Sequence, residues 1–217
     1  PNHQIGLLVD PANIEEVSLH LPDYVHLFSR VKHGVVFTHS AGAGRSIIEA
    51  HGNSFIYDCV IRNDIATASA TSAPYGVHSD GFHLIMTADA LGRYNLYATG
   101  GLIGCQLIIG PNADVQVSGN GIGVNNTRII KGCDLYCENP AYNGLIIAAN
   151  NGSGAFGGGR MIIDNVTDRT GRIVPAVGVQ TKNNTTNPAF LEIKNSPTIE
   201  RVSLAPAGTP YAGKWKL

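Results

Sequence analysis

Five short segments repeat one shape along the chain and narrow what it can fold into. "FIYDCVIRND" (55–64), "GLIGCQLIIG" (101–110) and "RIIKGCDLYCEN" (128–139) each read apolar, any residue, Asp or Gly, Cys, any residue, apolar. "MIIDNVTD" (161–168) and "LEIKNSPTIE" (191–200) carry the same shape, with Asn165 and Ser196 near the Cys position. Apolar residues alternate within each segment, which predicts short strands with every second side chain on one face. The 46 residues from Cys59 to Cys105 read as two steps of 23, with residue 82 in "SDGFHLIM" at the midpoint and residue 36 one step before Cys59. The next steps are 28 residues to Cys133, 32 to Asn165 and 31 to Ser196. A period that grows by loop insertion is the mark of a solenoid. "NNGSGAFGGG" (150–159) and "TKNNTTNPAF" (181–190) have the composition of protruding turns.

Composition agrees. Charged residues are only 14% of the 217, below the roughly 25% usual in soluble domains. Twenty-six glycines and abundant Asn favour many short strands joined by turns. The expected fold is all-β: a right-handed parallel β-helix, with a jelly-roll sandwich as the alternative. Stacked coils would set Cys59, Phe82, Cys105 and Cys133 in one inward column, with all four cysteines free. Residues 1–33 read as an N-terminal cap or attachment segment, in which Pro11, Asn13 and two Glu open a short helix. The helix itself is expected over 34–204 and a Pro/Gly-broken tail over 205–217.

Net charge is −1 and no basic run occurs, so neither nucleic acid nor anionic membrane is an expected partner. No apolar stretch is long enough to cross a bilayer, and no secretory signal is expected at the N-terminus. The cysteines lack zinc-finger spacing, and neither metal nor cofactor is expected.

The segment "GVHSDGFHL" (76–84) and the Cys-centred coils resemble the right-handed β-helix proteins of the pectin-lyase-like superfamily, over roughly residues 34–200. That superfamily includes polysaccharide lyases, glycoside hydrolases and the spike or fibre proteins of tailed bacteriophages. The hydrolases' acidic pair and Gly-His-Gly are absent here, the one Arg-x-Lys, Arg30-Val31-Lys32, stands outside the Cys-centred segments, and the acids are scattered rather than clustered as in calcium-dependent lyases. The resemblance therefore implies a virion protein: a spike, fibre or capsid-decorating element. It also implies a homotrimer contacting other virion proteins and bacterial surface polysaccharide, assembled in a reducing host cytoplasm that suits free thiols. The alternative is a secreted polysaccharide-degrading enzyme, lyase or hydrolase.

For that alternative the candidate catalytic residues are His78, Asp80, Asp58 and Arg93. His78 and Asp80 share one side of a strand, as a general base and its orienting acid would. Asp58 and Asp80 lie 22 residues apart, about one coil, the best candidate for the two carboxyls glycoside hydrolysis requires. Asp80-Gly81 is equally a turn signal, and structural roles for these residues are the simpler expectation. All eight His fall within the first 83 residues without metal-ligand spacing. Tyr94, Tyr97, Tyr142 and Phe156 are candidate ligand-binding residues, since an exposed aromatic face stacks on the apolar side of a sugar.

Overall fold

The computed structural model describes residues 3–15, 19–39, 48–50, 53–64, 76–79, 84–87, 96–97, 100–112, 122–125, 128–142, 146–150, 160–172, 177–180, 190–199, 201–203 and 214–216. Every regular element among them is a strand. Sheet A stacks β1 (Ile5–Val9), β4 (Val25–Ser29), β7 (Phe55–Tyr57), β12 (Gly101–Ile103), β15 (Ile129–Lys131), β18 (Arg160–Asp164), β21 (Phe190–Lys194) and β23 (Lys214–Lys216). Sheet B stacks β2 (Ala12–Glu15), β5 (Val35–His39), β8 (Val60–Asn63), β13 (Gln106–Ile109), β16 (Asp134–Cys137) and β19 (Thr167–Asp168). Sheet C stacks β3 (Leu19–Leu21), β6 (Ile48–Ala50), β11 (Leu96–Tyr97), β14 (Ile122–Asn125), β17 (Ile147–Asn150), β20 (Val177–Gln180) and β22 (Arg201–Ser203).

Every pairing within these three sheets is parallel, and the chain visits C, A and B in turn before rising one coil. This is the right-handed parallel β-helix, the hand that parallel crossover connections take. The parallel ladders exclude the jelly-roll sandwich, which is antiparallel.

Inward columns run unbroken through the stack. Leu27, Ile56, Leu102, Ile130 and Ile163 succeed one another in sheet A, each at most 2% exposed. Phe37, Ile61, Leu107 and Leu135 do the same in sheet B. Burial of each such side chain contributes about 1.5–3 kcal/mol, so the apolar columns hold the coils in register.

Sheets A and B meet at a two-residue corner that is nearly invariant in shape. It is Asp58-Cys59, Gly104-Cys105, Gly132-Cys133, Asn165-Val166 and Asn195-Ser196 in successive coils. The first residue of each pair is left-handed, with φ of 55°, 65°, 61°, 52° and 48° in that order. Gly, Asn and Asp are the types that tolerate this conformation, which explains the "Asp or Gly" of the sequence motif. The second residue turns inward, so Cys59, Cys105 and Cys133 form a buried column. Backbone bonds climb it, from Gln106 N–H to Cys59 C=O and from Asp134 N–H to Cys105 C=O. The thiols are free and also donate to backbone carbonyls, Cys59 to Tyr57 and Cys105 to Ile56.

Several expectations are corrected. Cys59 to Cys105 is one coil, not two: Phe55 pairs directly with Gly101 and Val60 with Gln106. The midpoint segment leaves the stack. Strands β9 (Gly76–Ser79) and β10 (Leu84–Thr87) form an antiparallel hairpin pairing Ser79 with Leu84 and His78 with Ile85. Phe82, between them, lies outside the described residues. The column position after Cys133 belongs to Val166, while Asn165 is the left-handed corner; before Cys59 it belongs to Val35, not residue 36. The helix also extends past both proposed boundaries. The segment expected to open a capping helix at Pro11 is strand β2, and β1 to β4 already occupy all three sheets. At the other end β23, within the expected tail, pairs with β21. Hydrophobic alternation over four or five residues outweighed the Pro-Asn-Glu start signal.

Candidate functional site

The residues singled out in the sequence scatter over the molecule. His78 lies in β9 of the hairpin, in register with Ile85 of β10. Asp80, Arg93, Tyr94 and Phe156 lie outside the described residues. Asp58 sits at the A/B corner, and its coil neighbour is Gly104, 46 residues on, rather than Asp80. The 22-residue interval between the two acids is not a coil, so the stacking argument for pairing them fails. Asp58 does structural work: its carboxylate lies over Gly104, where a Cβ would fall 2.5 Å from Oδ1. His33 reaches the same carbonyl row, its Nε2 lying 2.8 Å from Gly104 O. Tyr142 is no loop platform. It is 3% exposed, packs in the core, and carries the Arg172 guanidinium 5.6 Å from its ring centre.

The charged groups on the outer faces of sheets A and B are largely engaged with one another. Arg62 forms a two-pronged pair with Glu138 two coils away. Arg169 Nε donates to Asp134 at 2.8 Å, which raises the already high pKa of the guanidinium. Asp164 accepts from Asn195 at 2.8 Å and faces Lys131 at 3.4 Å; both hold its carboxyl below the usual range. The buried thiols move the other way. Removal from water raises Cys59 far above an ordinary thiol, with Cys105 and Asp58 adding to the effect. A hydrogen bond with Cys105 and burial together raise Cys133. Among the described residues no three His, Cys, Asp or Glu converge as metal ligands.

Sheet C is organised differently. His20 pairs with Glu49, Glu49 with Tyr97, Tyr97 with Asn125, Asn125 with Asn150 and Asn150 with Gln180. Six consecutive strands thus carry hydrogen-bonding residue types at one register position. That position alternates with the columns of Leu21 and Ile147, which are fully buried. Strand spacing places one such residue about every 4.8 Å along the molecule. Of the six, only Tyr97 stood out in the sequence. The signal that could have found Asn125, Asn150 and Gln180 is the likeness of "IGVN" (122–125), "IAAN" (147–150) and "VGVQ" (177–180), each closing on a carboxamide.

With this geometry the chain falls in the class of right-handed parallel β-helix proteins. No family model matches the sequence, and no curated protein matches it. Among solved structures it is similar to pectin methylesterase PemA from Erwinia chrysanthemi, at 14% identity, with a TM-score of 0.46, over 93% of this chain and 72% of that one. A pectin methylesterase in complex with a hexasaccharide overlays at 13% identity and TM-score 0.46, over 93% and 72% of the two chains. The pectin methylesterase from Yersinia enterocolitica overlays at 11% and 0.41, over 94% and 90%. The fold assignment rests on this chain's own strand pairing.

Proposed function

We propose that the chain is a rigid binding scaffold that engages a polysaccharide along sheet C. The observation that carries the reading is the register column of His20, Glu49, Tyr97, Asn125, Asn150 and Gln180. A polysaccharide presents hydroxyl groups at a regular interval, and a parallel β-helix presents residues at a regular interval. Carboxamides both donate to and accept from hydroxyls, and a tyrosine ring supplies a face for a sugar's apolar side. The resemblance of the Cys-centred coils to a superfamily that includes phage spike and fibre proteins supports the reading that this scaffold belongs to a virion, as a trimer that meets the host surface glycan. The enzyme reading, with His78, Asp80, Asp58 and Arg93 as its residues, is the rival.

A panel of bacterial polysaccharides, assayed for both retention and cleavage, tests the proposal. Expected is retention of at least one polymer without new reducing ends or unsaturated products. Combining Asn125→Ala, Asn150→Ala and Gln180→Ala should weaken retention at least tenfold with an unchanged melting temperature. Undiminished binding in that variant overturns the site, and turnover selects the enzyme.

A further inference from the structure

Sheet C differs from its neighbours in charge as well as in register. Its strands β3, β6, β11, β14, β17 and β20 read "LHL", "IEA", "LY", "IGVN", "IAAN" and "VGVQ", with no Lys or Arg and a single acid, Glu49. Sheet A, by contrast, carries Lys131, Arg160, Lys194, Lys214 and Lys216, and sheet B carries Arg62. The first cation in sheet C is Arg201 of its last strand, in register with Val177 and Ile147 rather than with the carboxamides. Arg128, three residues past Asn125, is turned to Asn53 at the C/A corner, with Nη1 3.4 Å from Oδ1. The register position two residues before the carboxamides falls on the same side of the sheet by strand parity. There Gly123 pairs with Ala148 and Ala148 with Gly178, so a strip with nothing larger than a methyl group runs beside the carboxamide row. Glycine within a strand marks a place where a ligand can come close to the backbone.

We infer, resting on the sheet C reading above, that the polysaccharide this face takes is neutral rather than acidic. Its sugar rings lie over Gly123, Ala148 and Gly178, with Asn125, Asn150 and Gln180 along one flank. An acidic polymer such as a polyuronate carries a carboxylate on every sugar. A carboxylate brought out of water needs a cation or several fixed N–H donors to offset the lost hydration. The six strands cover about 24 Å of the long axis. Over that length they offer no cation and one repelling carboxylate, Glu49. A hydroxyl makes a different demand: it donates and accepts, and a carboxamide answers both without net charge. The strip of small residues supplies the shape. A large side chain at position 148 would hold a sugar ring away from the carboxamides beside it.

Paired polymers test the assignment on the wild-type chain. Each neutral bacterial polysaccharide is offered as it stands and after oxidation of its C6 hydroxyls to carboxylates. Each acidic one is offered as it stands and after carboxyl reduction to the neutral sugar. Within every pair that is retained, the neutral member should be retained at least tenfold better. Its retention should change less than twofold between about 0.05 and about 0.5 M salt, over which the screening length shortens roughly threefold. An acidic member retained as well as its neutral partner, or better, overturns the neutral assignment and leaves the scaffold reading standing. Retention of no polymer overturns both. Two variants place the contact. Asn150→Lys should raise retention of the acidic members at least fivefold and make it fall with salt. Ala148→Leu should lower retention of the neutral members at least tenfold at an unchanged melting temperature, and undiminished retention by that folded chain overturns the placement of the rings. If Ala148→Leu fails to fold by circular dichroism, Asn150→Lys and the wild-type pairs decide.

Discussion

At the scale of single residues, the A/B corner explains most of the sequence motif. Its first residue must be left-handed, and its second must be small and inward. Gly104 and Gly132 both have positive φ, but their surroundings differ. A methyl group at Gly132 would meet no atom closer than 3.9 Å, while one at Gly104 would strike the Asp58 carboxylate. Gly132→Ala should therefore cost about 1 kcal/mol, the left-handed penalty alone, and Gly104→Ala measurably more by urea unfolding. The excess should vanish when Asp58→Gly is added; equal costs for the two alanines would refute the account. The thiols give a second expectation. Cys59, Cys105 and Cys133 are at most 1% exposed, and the pKa values of Cys59 and Cys133 are raised. The native protein should expose only Cys137 to alkylation at neutral pH, and slowly, because burial raises its pKa as well. The denatured chain should label at all four. Asp164 supplies a pH dependence. Its folded pKa is depressed by Asn195 and Lys131, so the stability it contributes is present at neutral pH and lost as pH falls through the acid range. Asp164→Asn should flatten that acid limb of a thermal-melt series. The corner glycines and cysteines were legible in the sequence because their constraints are local. His33's reach to Gly104 was not, since it joins residues 71 apart.

At the scale of elements, strands were readable wherever apolar alternation was complete, and their partners were not always so. Leu107 lies in register between Ile61 and Leu135, sealed on both sides. Leu107→Ala should cost about 2–5 kcal/mol, because neighbouring coils cannot collapse into the gap without breaking their ladders. The 46-residue coil reads as two in the sequence because 23 residues is itself a plausible period, and "GFHLIM" alternates as a coil strand does. What decides between coil and hairpin is whether a neighbour offers an open ladder. β7 and β12 satisfy each other directly, so β9 and β10 pair together instead. Replacing residues 66–94 by the shorter connection 110–121 should then preserve a cooperative melt. Loss of folding in that variant would show that the hairpin is part of the stack.

At the scale of the whole molecule, each coil touches only its neighbours, so stability should build from the middle outward. Amide hydrogen exchange should be slowest in β7, β12, β15 and β18, which have partners on both sides, and fastest at β22 and β23. The polar column of sheet C is likewise a property of the assembled molecule: six residues between 20 and 180 become one row only through five separate strand pairings.

The sequence by itself determined that this chain forms short strands with left-handed corners and an inward row of thiols. Those features depend on φ preferences and alternation within a few residues. The tertiary structure decided the length of the second coil, the exit of the His78 hairpin, the burial of Tyr142 and the alignment of sheet C. Each of these depends on which distant strand supplies the missing hydrogen bonds, and loop insertions of unequal length remove that information from residue spacing.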